Sequence, residues 1–169
     1  MSDYRLIGLE GIAIGSMRAG PGFTGTLTSI YAIVPDSAVI ACEQPGDIDL
    51  MVEDSDYPDI TLNTPGDKYI EFATRDMAMH NFILALGGTS GATVWNAPND
   101  AVVISEKSIK AISKEYNGKQ YEIELIHVNL KGGGDLRFSK TESGTLTYRG
   151  KIMRPVTLKT DYPIVARVI

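Results

Sequence analysis

Cysteine occurs once in 169 residues, histidine twice and tryptophan once. A lone Cys42 excludes an internal disulfide and fits a reducing compartment. Set between "AVIA" and "EQPG", it reads as a small buried residue. His80 and His127 are too few for most His-based metal sites, and no Cys/His cluster compensates. No run of about 18 apolar residues exists, so no segment reads as a membrane-spanning helix. The opening "MSDYRLIGLEG" lacks the basic start and apolar core of a signal peptide. A Gly-x-Ser-x-Gly nucleophile elbow is missing too. The pairs Asp47/Asp49 and Asp54/Asp56 suggest calcium, but the calcium loop needs Gly at its sixth position and Glu at its twelfth. Counted from Asp47, those positions hold Val52 and Pro58, which leaves only a looser oxygen-ligand site open. Nothing here argues positively for an enzyme, and no cofactor is expected.

What is present is an ordinary globular composition, 43% hydrophobic and 22% charged, of a length that suits one domain. The stretch "GPGFTG" at 20–25 matches the spacing of a dinucleotide-binding loop. That motif needs a helix opening at its third glycine, to hold a pyrophosphate on the helix N-terminus. The following "TLTSIYAIVP" is β-branched and ends at Pro35, which is strand chemistry, so the glycines read as a turn. "KSIKAISK" is basic but lacks interleaved aromatics, and the acidic balance opposes tight binding to nucleic acid.

The net charge of −5 is unevenly spread. Residues 1–67 hold eleven acids against Arg5 and Arg18, whereas residues 68–169 hold ten acids against fourteen bases. From Glu43 to Asp67 there are eight acids and no Lys or Arg. Such a segment is either a solvated acidic loop or a surface built to meet a basic partner, including another copy of the chain.

Short β-rich runs separated by turn residues dominate: "LTSIYAIV", "AVIAC", "DIDLMV" and "KYIEFA". Asn117-Gly118 between two long β-rich arms predicts a type I′ hairpin. A second hairpin is expected from strands near 135–140 and 145–153, turning at Glu142-Ser143-Gly144, with "KGGGD" at 131–135 as a flexible connector between the two. One segment, about 74–86, reads as helix. Thr74 is its cap, Asp76 suits the positive dipole end, Gly87 is its stop, and Met79, Phe82, Ile83 and Leu86 form an apolar stripe. His80 reads as a surface or boundary residue and His127 as an ordinary strand residue. The predicted class is a mainly β, two-sheet antiparallel sandwich or barrel with one flanking helix and a long acidic loop.

In order and texture the chain resembles the tail tube proteins of long-tailed bacteriophages. The likeness rests on the N-terminal β-rich segment, "YAIVPDSAVIACEQPGDIDL" leading into a long polar loop, the mid-chain helix, and the β-rich second half ending in "KIMRPV". It covers nearly the full length without a short diagnostic motif. The resemblance implies a single domain, 1–169, with contact arms at 1–18 and 154–169 and an extended loop at 44–66. It also implies hexameric rings stacked head to tail into a tube, as in contractile-tail and type VI secretion inner tubes. The tube would assemble around a tape-measure protein, meet tail-end proteins, and pass DNA without binding it specifically. The place of action would be the virion tail, after synthesis in the host bacterial cytoplasm. No catalytic residue is carried over.

On that reading the loop's contact residues are Asp47, Ile48, Asp49, Leu50, Met51, Val52, Glu53, Asp54, Asp56, Tyr57, Asp59 and Ile60. Their basic counterparts on a neighbouring copy are Lys107, Lys110, Lys114, Arg149 and Lys151. Glu122 and Glu124 alternate with Tyr121, Ile123 and Leu125, so the glutamates are expected to face the lumen or outer solvent while the apolar set packs inward. Two other readings stay open: another self-assembling virion or secretion-tube component, and a β-barrel module for a small ligand.

Overall fold

Strand chemistry forms where β-branched residues alternate with polar ones, and in this protein nearly every such run pairs with a neighbour. The computed structural model describes residues 8–16, 26–51, 53, 60–91, 93–98, 105–155 and 162–169. The fold is mainly β and antiparallel, with a single helix among the described residues. The principal sheet contains β1 (Leu9–Ser16), β2 (Thr28–Ile30), β3 (Val39–Cys42), β6 (Lys68–Thr74), β9 (Ser105–Ser113), β10 (Tyr121–Phe138), β11 (Ser143–Ile152) and β12 (Ile164–Val168). Its order is β2-β1-β9-β10-β11-β6-β3, with β12 added to β10.

The first half of β10 lies between β9 and β12, and its second half runs along β11. The register slips between Leu125 and Val128, and there the sheet divides into two layers. Residues of both halves meet in one core: Ile12, Ile14, Ile109 and Leu125 from one, Ile70, Phe72, Leu146 and Tyr148 from the other. Phe72 and Tyr148 stack with ring centroids 4.7 Å apart. β1 sits centrally, between β2 and β9, so this part of the expected N-terminal arm belongs to the core. Likewise β12, inside the expected C-terminal arm, is a paired strand.

The Asn117-Gly118 hairpin forms as predicted: Asn117 has φ 52°, Gly118 φ 70°, and Tyr116 pairs with Lys119 across the turn. The glycine run at 131–135 is a correction. It is the middle of β10, fully paired with β11, and connects nothing. The second turn falls at 139–142, with Ser143 already back in register opposite Phe138. The glycines serve packing instead. A Cβ on Gly132 would lie 2.3 Å from the Cα of Ala85, because α1 (Met79–Leu86) rests directly on that strand.

The helix begins five residues later than expected. Thr74 ends β6, and its hydroxyl donates to the Tyr31 carbonyl and accepts from the Asp76 amide. Tertiary bonding thus captures the predicted cap. Ala78 is the N-cap and makes no side-chain cap bond, while Gly87 stops the helix at φ 74° as read from sequence. The fully buried helix residues are Asn81 and Ala85; of the expected stripe, Leu86 packs partly buried against the core, while Met79, Phe82 and Ile83 are half-buried. Phe82 packs instead against Trp95 of the small hairpin β7 (Thr89–Ser90) and β8 (Trp95–Asn96). His80 is exposed, as expected. Cys42 is exposed as well, which corrects its reading as a buried residue.

Gly132→Val should therefore lower the free energy of unfolding by about 2–4 kcal/mol through overpacking against the helix. Gly133→Val, whose added Cβ would sit 3.5 Å from the Thr147 hydroxyl, should change it far less. Urea denaturation of the two variants checks the contrast.

Candidate interaction surface

The acidic segment is a ribbon. β4 (Gly46–Leu50) and β5 (Ile60–Thr64) pair with each other and, among the described residues, with no other strand. Their register continues that of β3 with β6: Ile40 faces Ile70, Cys42 faces Lys68, Gly46 faces Thr64 and Leu50 faces Ile60. The two pairs form one long hairpin, interrupted where Pro45 and Pro65, which lack amide donors, stand opposite each other. Over its described residues, the segment expected as an extended loop is thus an arm continuous in register with the sheet. Val52, Asp54, Asp56, Tyr57 and Asp59 lie outside them.

Because side chains alternate along a strand, the constant register sorts the ribbon into two faces. One carries Ile48, Leu50, Ile60 and Leu62, each about half exposed. The other carries Asp47, Asp49, Thr61 and Asn63, with the Thr61 hydroxyl donating to Asp49 at 2.7 Å. The apolar face has the same parity as Ile40 and Ile70, which line the space between the layers. It is the core-facing side of the sheet, carried beyond the core. Met51 and Glu53 are exposed past the end of β4. Leu62 was missed in the sequence reading, although "ITLN" carries the alternation that marks it.

The basic residues matched to this loop are largely engaged within the subunit. Lys110 pairs with Glu122, Arg149 with Glu71 at 3.0 Å, and Lys151 with Asp67 at 2.7 Å. Arg149 also lies over the Tyr69 ring. Lys114 is exposed and Lys107 half-buried, with no carboxylate partner among the described residues.

Glu122 and Glu124 do not look into solvent. Only 8% and 2% exposed, they lie under Arg167 of β12, whose guanidinium reaches Glu122 at 3.2 Å and both oxygens of Glu124 at 3.2 Å. Lys110 closes the group from β9. The expected parity holds, since Leu125 is buried on the opposite face and Ile123 packs against the core there. The exposure does not, because a cross-strand cation covers both carboxylates. Nothing near residue 167 in the sequence pointed to that role. His127 is buried, with Nδ1 donating to the Arg154 carbonyl at 2.9 Å and Nε2 3.5 Å from Glu106. It fastens the chain leaving β11 and is more than an ordinary strand residue.

A third feature is an apolar cavity of about 770 Å³ between the layers, lined by Ile12, Ile33, Ile40, Ile70, Ile123 and Ile164 among others. Among the described residues no three His, Cys, Asp or Glu side chains gather as a metal set. Residues 20–25 lie outside the described residues, and the strand β2, not a helix, follows them. Protein-family models give no match to this chain, and curated proteins give none either.

Removing Arg167 leaves Glu124 buried without its cation and Glu122 with Lys110 alone, a change that destabilises strongly when the pair is enclosed and less where the cation is partly solvated. Arg167→Met should lower stability by about 2–3 kcal/mol. The loss should shrink when Glu124→Gln is added, and a double-mutant cycle in urea measures the coupling.

Proposed function

We propose that this chain is a structural subunit that assembles with copies of itself into hexameric rings stacked head to tail, forming a tail-tube-like conduit for DNA. The observation that carries this reading is the ribbon: a paired extension in register with the sheet, whose apolar face is about half exposed and has no cover among the described residues. Four half-exposed aliphatic side chains gain about 1 kcal/mol each on full burial. A single contact of this kind is weak, but repetition around a ring and along a stack makes it sufficient. The acidic face of the same ribbon disfavours indiscriminate pairing of its edges, a recognised hazard of free strands.

The charge pattern suits a conduit. A lysine-rich lumen would retain phosphates in a salt-dependent manner. On the face bearing Glu122 and Glu124, the two carboxylates are balanced by Lys110 and Arg167. If that face lines the lumen, it offers DNA no net positive charge. A tape-measure protein and tail-end proteins are the further partners of this reading, and the virion tail its location.

Concentrated full-length protein should show rings or hollow tubes by negative-stain electron microscopy. A species that stays monomeric at every salt and protein concentration, seeded or not, overturns the reading. Deleting residues 47–59 should leave a folded, soluble subunit by circular dichroism that no longer assembles. Charge reversals at Asp47 and Asp49 should mainly slow assembly, and raised salt should weaken their effect.

The cavity between the layers favours a second reading, a module that binds a small apolar ligand. It predicts a rise in melting temperature with a medium-chain fatty acid or a hydrophobic dye. An unchanged melting temperature across such a panel removes it.

A further inference from the structure

The strand directions place two uncovered apolar surfaces at opposite ends of the subunit. β6 leaves the ribbon at Lys68 and runs to Thr74, where it lies opposite Leu146 of β11. β11 runs antiparallel to it, so the β10–β11 turn at 139–142 lies at the end away from the ribbon. The ten residues of β11 alone separate these ends by roughly 30 Å. At the far end Phe138 is fully exposed and Leu136 about half exposed. Among the described residues, none covers the Phe138 ring, which stands beside a tight turn.

The two ends also differ in charge. The ribbon presents Glu43, Asp47, Asp49 and Glu53, all exposed and none ion-paired among the described residues. The turn presents Arg75, Lys140 and Arg137. Of these only Arg137 is ion-paired among the described residues, with Asp135 at 2.7 Å and Glu142 at 2.6 Å. Arg75, Asp135, Arg137 and Glu142 line one cleft there, of about 400 Å³.

We infer that the β10–β11 tip of one copy seats on the ribbon of the next, with Phe138 and Leu136 against the Ile48, Leu50, Ile60 and Leu62 face and the free cations near its acids. The contact joins unlike surfaces, so it does not close on itself as a two-fold dimer does, and because the two surfaces lie at opposite ends of the strands, it stacks copies along the strand direction wherever its rotation does not close a ring. This inference rests on the assembly reading above and names the seat of its axial contact. A subunit cannot satisfy its own ribbon, because the tip lies at the other end of the same strands.

The test uses cysteine pairs in the full chain on a Cys42→Ser background, which removes the native exposed thiol. Leu50→Cys with Phe138→Cys, and Leu62→Cys with Phe138→Cys, are oxidised under assembling conditions. Products are run on denaturing gels, with electron microscopy of the same samples. The expected result is a ladder of disulfide-linked multimers from at least one double variant, with single variants stopping at dimers. Rings or tubes in the micrographs without a ladder from either pair overturn the seat while leaving the assembly reading intact. Wild-type protein that never assembles overturns both. Phe138→Asp, at a side chain that touches no core, should keep the native circular dichroism and melting temperature. It should raise the concentration needed for assembly by about tenfold or more. An unchanged threshold overturns the inference.

Discussion

An antiparallel strand of eighteen residues is longer than either layer of this protein, and the architecture follows from sharing it. β10 gives its first part to β9 and β12 and its second to β11. The slip in register between Leu125 and Val128 is where one flat sheet becomes two facing ones. Residues 124–128 are buried in succession because at that junction both faces of the strand are covered. His127 and Ile126 tie the neighbouring segments down through the Met153 amide and the Pro163 carbonyl. The helix needs the same strand, lying across Gly132, with the Tyr148 hydroxyl donating to the Asn81 carbonyl. Burial pushes the Tyr148 phenol far above its usual range, with the Asp76 charge adding to the effect, so it stays a donor throughout ordinary pH.

Because β12 shares an edge of β10 with β11, the C-terminal segment carries a cation into the sheet. Arg167 then solves the problem set by two carboxylates on one strand face. Side by side without a cation, Glu122 and Glu124 would repel and open to water. Covered by Arg167 and Lys110, they leave that face electrically balanced and closed. Buried ion pairs of this kind contribute little net stability but penalise any alternative pairing strongly, which favours a single register for β12.

The β3–β6 hairpin is longer than the core it belongs to. Its register does not change at the opposed prolines, so the apolar parity that serves the core at Ile40 and Ile70 is still in force at Ile48 and Leu62. Prolines remove ladder hydrogen bonds without turning the strand over. The overhang is therefore apolar by continuity and acidic on its reverse. That combination suits reversible contact with a partner better than either a free loop or a buried strand.

Much of the β pattern was legible in the sequence: the Asn117-Gly118 turn, the stop at Gly87, the strands of "AVIAC" and "KYIEFA", and the antiparallel class. Each depends on local chemistry, either a positive φ that few residues tolerate or alternation over a handful of positions. The acidic run and its apolar members were legible as composition, not as a ribbon with sorted faces. What the letters alone did not decide was set by partners distant in the chain. Thr74 had the chemistry of a helix cap, but the Tyr31 carbonyl, 43 residues away, claimed its hydroxyl. The glycines at 132–134 had the composition of a linker, and only the packing of α1 on β10 makes the missing side chain of Gly132 structural. Glu122 and Glu124 alternated as solvent residues do until Arg167, more than 40 positions later, covered them. Local sequence determines which backbone conformations are cheap, whereas burial depends on which distant strand becomes the neighbour, and that is settled only when the whole sheet closes.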